Sequence, residues 1–124
     1  MNSGKRLYAL RGAVQCRNDE EDITLEVTAL YRELLEQNGL KEDDIVSLVF
    51  SVTRDIDAKN PAAALRQSGQ AGEIALFVVQ EAFFVKGMER VIRTLMYCYM
   101  EDGSRPVHVY RNGAEALRPD RSGK

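Results

Sequence analysis

The segment Met88-Glu89-Arg90-Val91-Ile92-Arg93-Thr94-Leu95-Met96-Tyr97-Cys98-Tyr99-Met100 decides what kind of fold this chain adopts. By spacing, Met88, Val91, Ile92, Leu95, Met96 and Tyr99 form the stripe of an amphipathic helix. By residue type, its Val, Ile, Thr, Tyr and Cys favour a strand, where β-branched and aromatic side chains pack well on a pleated surface. Spacing alone points to helix and composition to strand, so the flanking segments have to be weighed.

On the C-terminal side, Asp102-Gly103 marks a turn and Val107-His108-Val109-Tyr110 begins a last strand. Arg118-Pro119-Asp120 leads into a polar tail, Arg121 to Lys124, expected to be disordered. On the N-terminal side, Ile74 to Val79 is an apolar run of strand length, read as a buried strand that ends before Glu81, and Ile45 to Thr53 reads as another buried strand. Between them, Asn60-Pro61 followed by Ala62-Ala63-Ala64-Leu65-Arg66 and closed by Gly69 predicts a short helix. Asn60 would be its cap and Pro61 its first position.

Further back, Asn18-Asp19-Glu20-Glu21 has the form of a helix start, with Asn18 as cap and Glu21 reaching back. Ile23, Val27, Leu30 and Leu34 follow at helical spacing, widened by Tyr31 and Leu35, and Asn38-Gly39 supplies a left-handed stop. The expected helix runs from Asp19 to Gln37. Before it, Leu7 to Leu10 forms a short first strand ending in Arg11-Gly12. With no internal repeat or linker, the 124 residues are expected to form one domain, its core at about 7–119.

Composition narrows the function. A net charge of −2 argues against nucleic acid as a partner, because phosphate binding needs excess positive charge. No stretch approaches the roughly eighteen apolar residues of a spanning helix, and Met1 to Arg6 is too polar for a signal peptide. Cys16 and Cys98 make neither a disulfide framework nor a metal spacing. These features lead to an expectation of a cytoplasmic protein without membrane contact. Arginine outnumbers lysine twelve to five; its planar fork clamps carboxylates, although codon bias also raises arginine counts.

There is no nucleophile elbow, phosphate-binding glycine loop or zinc pattern. His108, the only histidine, is flanked by Val107 and Val109 and reads as an ordinary strand residue; Cys16 reads as a small filler. What stands out is a set of polar residues in apolar surroundings: Arg11, Glu81, Arg93, Tyr110 and Arg118. A buried charge needs a counter-charge, water or a ligand. Internal pairing, such as Glu81 with Arg93, is one reading; a site for a small anion is the other.

The order of motifs resembles the AroH-type chorismate mutases. The resemblance rests on Leu10-Arg11-Gly12-Ala13, the acidic-capped helix, Asn60-Pro61-Ala62-Ala63-Ala64-Leu65-Arg66, Gln80-Glu81 and Gly87-Met88-Glu89-Arg90-Val91-Ile92-Arg93. To these add His108-Val109-Tyr110 followed by Ala116-Leu117-Arg118-Pro119-Asp120. It implies an α+β fold: a mixed five-stranded sheet packed against one long and one short helix, three subunits surrounding a barrel-like centre. With it, the segment Met88–Met100 is assigned as a strand. The resemblance also implies a homotrimer whose active sites lie between subunits, acting on chorismate without metal or cofactor.

Carried over residue by residue, it makes Arg93, Glu81 and Arg11 catalytic, and Arg66, Tyr110, Arg118 and Leu117 substrate-binding. The neighbouring chain would contribute wall residues around Asn60, Ala62, Ala63, Leu76, Phe77 and Val78. Several of these depart from the family pattern: Asn60 for an aromatic residue, Ala63 for lysine and Val78 for cysteine. Arg54 stands in place of a proline and Lys86 in place of a glycine. The wall substitutions keep two other readings open, a non-catalytic trimeric ligand-binding module and an enzyme acting on a related cyclic dicarboxylate in secondary metabolism.

Overall fold

The computed structural model of the protein describes residues 4–117. Five strands, β1 (Lys5–Gln15), β2 (Ile45–Val52), β3 (Ala75–Gln80), β4 (Val91–Glu101) and β5 (Val109–Arg111), form one sheet in the order β3-β2-β4-β1-β5. Two α-helices, α1 (Glu20–Asn38) and α2 (Pro61–Gln67), accompany it. The sheet is mixed: β4 runs antiparallel to both β1 and β2, whereas β2–β3 and β1–β5 are parallel pairs. A parallel pair cannot be closed by a tight hairpin. The β2–β3 connection carries α2, and the chain from β1 to β5 passes through most of the molecule.

Alternation along the strands separates the two faces. Leu10 and Val14 of β1, Leu48 and Phe50 of β2, and Ile92, Met96 and Cys98 of β4 are fully buried. Together with Ile23, Val27, Leu30, Tyr31 and Leu34 of α1 they form the core. Each such large apolar side chain contributes roughly 1.5–3 kcal/mol by burial. Gly12 faces α1 so closely that a Cβ there would lie 3.1 Å from Leu34 Cδ1 and 3.2 Å from Leu30 Cδ1. The absent side chain lets helix and sheet approach.

The segment 91–101 is a strand, and its ladders explain why spacing misled. β4 is central, paired on both sides, with one face sealed by the helices and the other partly covered. Both faces are therefore rich in apolar residues, and the strand's period of two is blurred.

Four other expectations are corrected. The first strand does not end at Arg11-Gly12 but continues to Gln15, held by β4 on one side and β5 on the other, so Arg11 lies mid-strand. The cap of α1 is Asp19, whose side chain accepts from the Asp22 N–H at 2.7 Å. Asn18 instead accepts from the N–H groups of Asp57 and Ala58, at 3.0 and 2.9 Å, tying the helix start to the loop after β2. β3 is an edge strand rather than a buried one: Phe77 is 64% and Val79 41% exposed, because nothing among the described residues covers them on the face away from the helices. The last strand begins at Val109; His108 precedes it, and its Nδ1 accepts the Arg11 backbone N–H at 2.9 Å.

Two other helix ends read from local chemistry are found where expected. Asn60 caps α2 through bonds from the Ala62 and Ala63 N–H groups, with Pro61 first in the helix. Gly39 ends α1 at φ 61°, a left-handed conformation that favours glycine.

Candidate active site

The open face of the sheet carries a cleft of about 420 Å³, and two adjacent rungs of the ladder build most of it. In the first rung, Val79, Ser51, Arg93, Ala13 and Tyr110 stand side by side on all five strands, because Ser51 pairs with Val79 and Arg93, and Ala13 with Arg93 and Tyr110. In the second, two residues away and on the same face, Phe77, Val49, Leu95 and Arg11 align. Arg11, Ala13, Val49, Ser51, Arg93, Leu95 and Tyr110 line the cleft, and Leu117 joins them from the short 3-10 turn that follows β5. Arginines on β1 and β4, which are far apart in sequence, become neighbours through strand register alone.

The charges are arranged unequally. Arg93 donates from Nε to Oε1 of Glu81 at 2.9 Å and from an Nη to Oε2 at 3.1 Å, a bidentate pair at the edge of the cleft. Glu81 follows β3, and its backbone N–H extends the β2–β3 pairing through Val52 O at 2.8 Å. The Arg11 guanidinium has no carboxylate partner among the described residues. The Tyr110 hydroxyl is buried with no hydrogen-bond partner among them. An unpaired cation and an unsatisfied hydroxyl sharing a cleft suit an anionic, oxygen-rich ligand, which would satisfy both.

Internal pairing of Glu81 with Arg93 is observed, and it is compatible with a ligand site. Two N–H groups of the guanidinium are spent on the carboxylate, and the remaining donors are free to meet a ligand. Neither cysteine lines the cleft. Burial, reinforced by the Asp22 carboxylate, pushes the Cys16 thiol up to about 11, and burial does the same to Cys98, so both stay protonated at neutral pH. Among the described residues no group of three or more His, Cys, Asp or Glu side chains converges to hold a metal ion.

Of the residues singled out from sequence, Arg11, Arg93, Tyr110 and Leu117 come together in the cleft, with Glu81 at its edge. The other described ones do not line it within one chain. Arg66, Asn60, Ala62 and Ala63 belong to α2 and its cap, and the Arg66 guanidinium donates to Ile74 O at 2.6 Å. Leu76 and Val78 pack against the core on the helix side, whereas Phe77 stands exposed on the open face beside Val49. Arg118 lies outside the described residues. Sequence reasoning missed Ser51, Val49, Ala13 and Leu95. Only their alternation with buried neighbours hinted at them, and alternation does not say which strand lies alongside.

The sheet, its two helices and this cleft define a small α+β protein with two arginines on the open face of its sheet. Comparison with known proteins names the class further. Residues 7–121 match the family model for chorismate mutase type I. The chain is 30% identical to chorismate mutase AroH of Bacillus subtilis (strain 168) over 118 residues, covering 94% of this chain and 93% of that one. It is 32% identical to chorismate mutase AroH of Thermus thermophilus over 114 residues, covering 90% and 93%. A solved structure of a chorismate mutase from Clostridium thermocellum superposes with a TM-score of 0.81 at 39% identity, covering 89% of this chain and 99% of that one. The chain belongs to the chorismate mutase type I family.

Proposed function

We propose that the cleft on the open sheet face binds chorismate and converts it to prephenate. The observation that carries the reading is the shared rung of Arg93 and Tyr110, with the unpaired Arg11 one rung away. The reaction is a Claisen rearrangement in which one carbon–oxygen bond breaks as a carbon–carbon bond forms. It requires no nucleophile, proton transfer or cofactor.

In this mechanism the enzyme has two tasks. The first is to hold a flexible dicarboxylate in its compact reactive conformer, for which Arg11, Arg118 and the Tyr110 hydroxyl serve as carboxylate clamps, with Arg66 reaching the cleft from a neighbouring subunit. The second is to stabilise the negative charge that grows on the ether oxygen as its bond breaks. The open donors of Arg93 do this, and Glu81 keeps the guanidinium oriented. Because that charge develops only along the reaction coordinate, the interaction favours the transition state over the ground state. Glu81 also accepts the hydrogen bond of the ring hydroxyl and favours the positive charge on the ring.

The proposal includes a homotrimer. Leu7, Phe77, Val79 and Tyr97 leave apolar surface exposed on the open face, the kind of area a neighbouring subunit buries. There the partner would supply the wall formed by Asn60, Ala62, Ala63, Leu76, Phe77 and Val78. No described helix is long and apolar enough to cross a membrane, and we place the enzyme in the cytoplasm, in aromatic amino-acid biosynthesis. Incubating purified protein with chorismate and following its conversion to prephenate tests the reading. Saturable turnover that survives dialysis against chelator is expected; binding without turnover would favour a ligand-binding module.

A further inference from the structure

We infer that Ser51 is a positioning residue for this reaction: its hydroxyl anchors the Glu81 carboxylate and, through it, the Arg93 guanidinium. The inference rests on the roles proposed above for Glu81 and Arg93. It starts from a geometric problem. Glu81 follows β3 and Arg93 lies on β4, with β2 between them in the sheet. Two strand spacings separate β3 from β4, about 10 Å, so the ion pair has to pass over β2. The β2 residue in that rung is Ser51, flanked by Val79 on one side and Arg93 on the other.

Serine meets both demands of that position. It is small enough for the two long side chains to meet above it, and its hydroxyl donates to Glu81 Oε1 at 3.3 Å, the oxygen that also accepts Arg93 Nε. Among the described residues Oε2 is bound only by the Arg93 Nη, at 3.1 Å. Ser51 therefore ties down one oxygen of the carboxylate and leaves the other as the one offered to a substrate hydroxyl. Glu81 needs such an anchor, because residues 82–87 after it are all exposed, and the contact they make is on the surface, the Arg54 guanidinium over the Phe83 ring. Ser51, by contrast, belongs to a strand paired on both sides. Order then passes from the sheet to Ser51, from Ser51 to Glu81, and from Glu81 to Arg93.

Ser51→Ala keeps the space and removes the donor. It should lower kcat about tenfold, in the range of one hydrogen bond to a charged group, with KM within about twofold, since the carboxylate clamps are untouched. Ser51→Thr restores the hydroxyl and should recover most of the loss, and melting temperatures should stay close to wild type. A second readout needs no substrate: hydrogen exchange at the Arg93 Nε–H, followed by 15N NMR, should quicken in Ser51→Ala and return in Ser51→Thr. Unchanged kcat in Ser51→Ala, a threonine variant as impaired as the alanine one, or unchanged Nε–H exchange would each overturn the assignment. A wild-type protein that does not turn over chorismate would reject the proposed function instead, and the exchange measurement would still decide whether Ser51 anchors the pair.

Discussion

Gly12 and Thr94 lie opposite each other in the β1–β4 ladder, and a Cβ on Gly12 would sit 2.5 Å from the Thr94 hydroxyl. Thr94 is buried, and its hydroxyl has no hydrogen-bond partner among the described residues. The glycine therefore accommodates two neighbours at once, this hydroxyl within the ladder and the Leu30 and Leu34 side chains of α1. Both close approaches sit directly behind Arg11 and Ala13, which line the cleft on the opposite face.

Gly12→Ala should consequently cost about 1–3 kcal/mol through overpacking, read as a lower midpoint in urea with an unchanged m-value. Thr94→Ala removes the closest atom and should recover part of the loss in the double variant. Additive effects of the two substitutions would show that the helix contact, not the hydroxyl, is what the glycine serves.

Arg93 separates catalysis from scaffold. Its ion pair with Glu81 is partly solvated, the two side chains being 43% and 19% exposed, so the pair itself contributes little to stability, within about 1 kcal/mol. Arg93→Ala should leave a folded protein whose kcat falls roughly a hundred- to a thousandfold. Arg93→Lys keeps the charge without the fork that grips both oxygens of Glu81 and should remain badly impaired. A stable Arg93→Ala protein with near wild-type kcat would end the electrostatic mechanism.

The trimer can be tested from the exposed face of β3. Phe77 stands beside Val49, which lines the cleft. Phe77→Asp places a charge in the proposed interface and should shift the protein to monomers in light scattering, with activity lost in proportion. A wild-type protein that is fully active as a monomer would remove the shared-site model.

Acid should weaken the fold through carboxylates that are hydrogen-bonded in the native state. Asp44 accepts from the Lys41 N–H at 2.9 Å and from Lys5 Nζ at 3.3 Å; the backbone bond first, and then the lysines, hold its pKa below the ordinary 3.8. A group whose folded pKa is depressed stabilises the protein above its unfolded value, and that contribution is lost as pH falls through the folded value. Stability should therefore drop below about pH 4, and Asp44→Asn should be less stable at neutral pH yet lose less between there and acid. Equal losses for wild type and variant across that range would assign the acid sensitivity elsewhere.

The sequence by itself determined the parts of this protein that depend on neighbours in the chain. Asn60-Pro61 opens α2, Gly39 closes α1, and the apolar stripe from Ile23 to Leu34 faces the core, because caps, left-handed turns and helical faces are set within a few residues. The nearest misreading there, Asn18 for Asp19 as the cap, arose because two adjacent residues could both cap, and a distant loop claimed the first. The strand state of 91–101 was not decided by its own pattern, since a central strand with apolar residues on both faces loses its alternation. Resemblance to a family, not periodicity, resolved it. The cleft lay still further out of reach. Arg11 and Arg93 could be picked out as charges among apolar neighbours, but that they share a cleft, with Ser51 beneath the crossing of Arg93 and Glu81, follows from the register of β1, β2 and β4. Register belongs to pairs of strands. It is settled only when the buried faces of all five are matched against the helices, and so only the tertiary structure decided it.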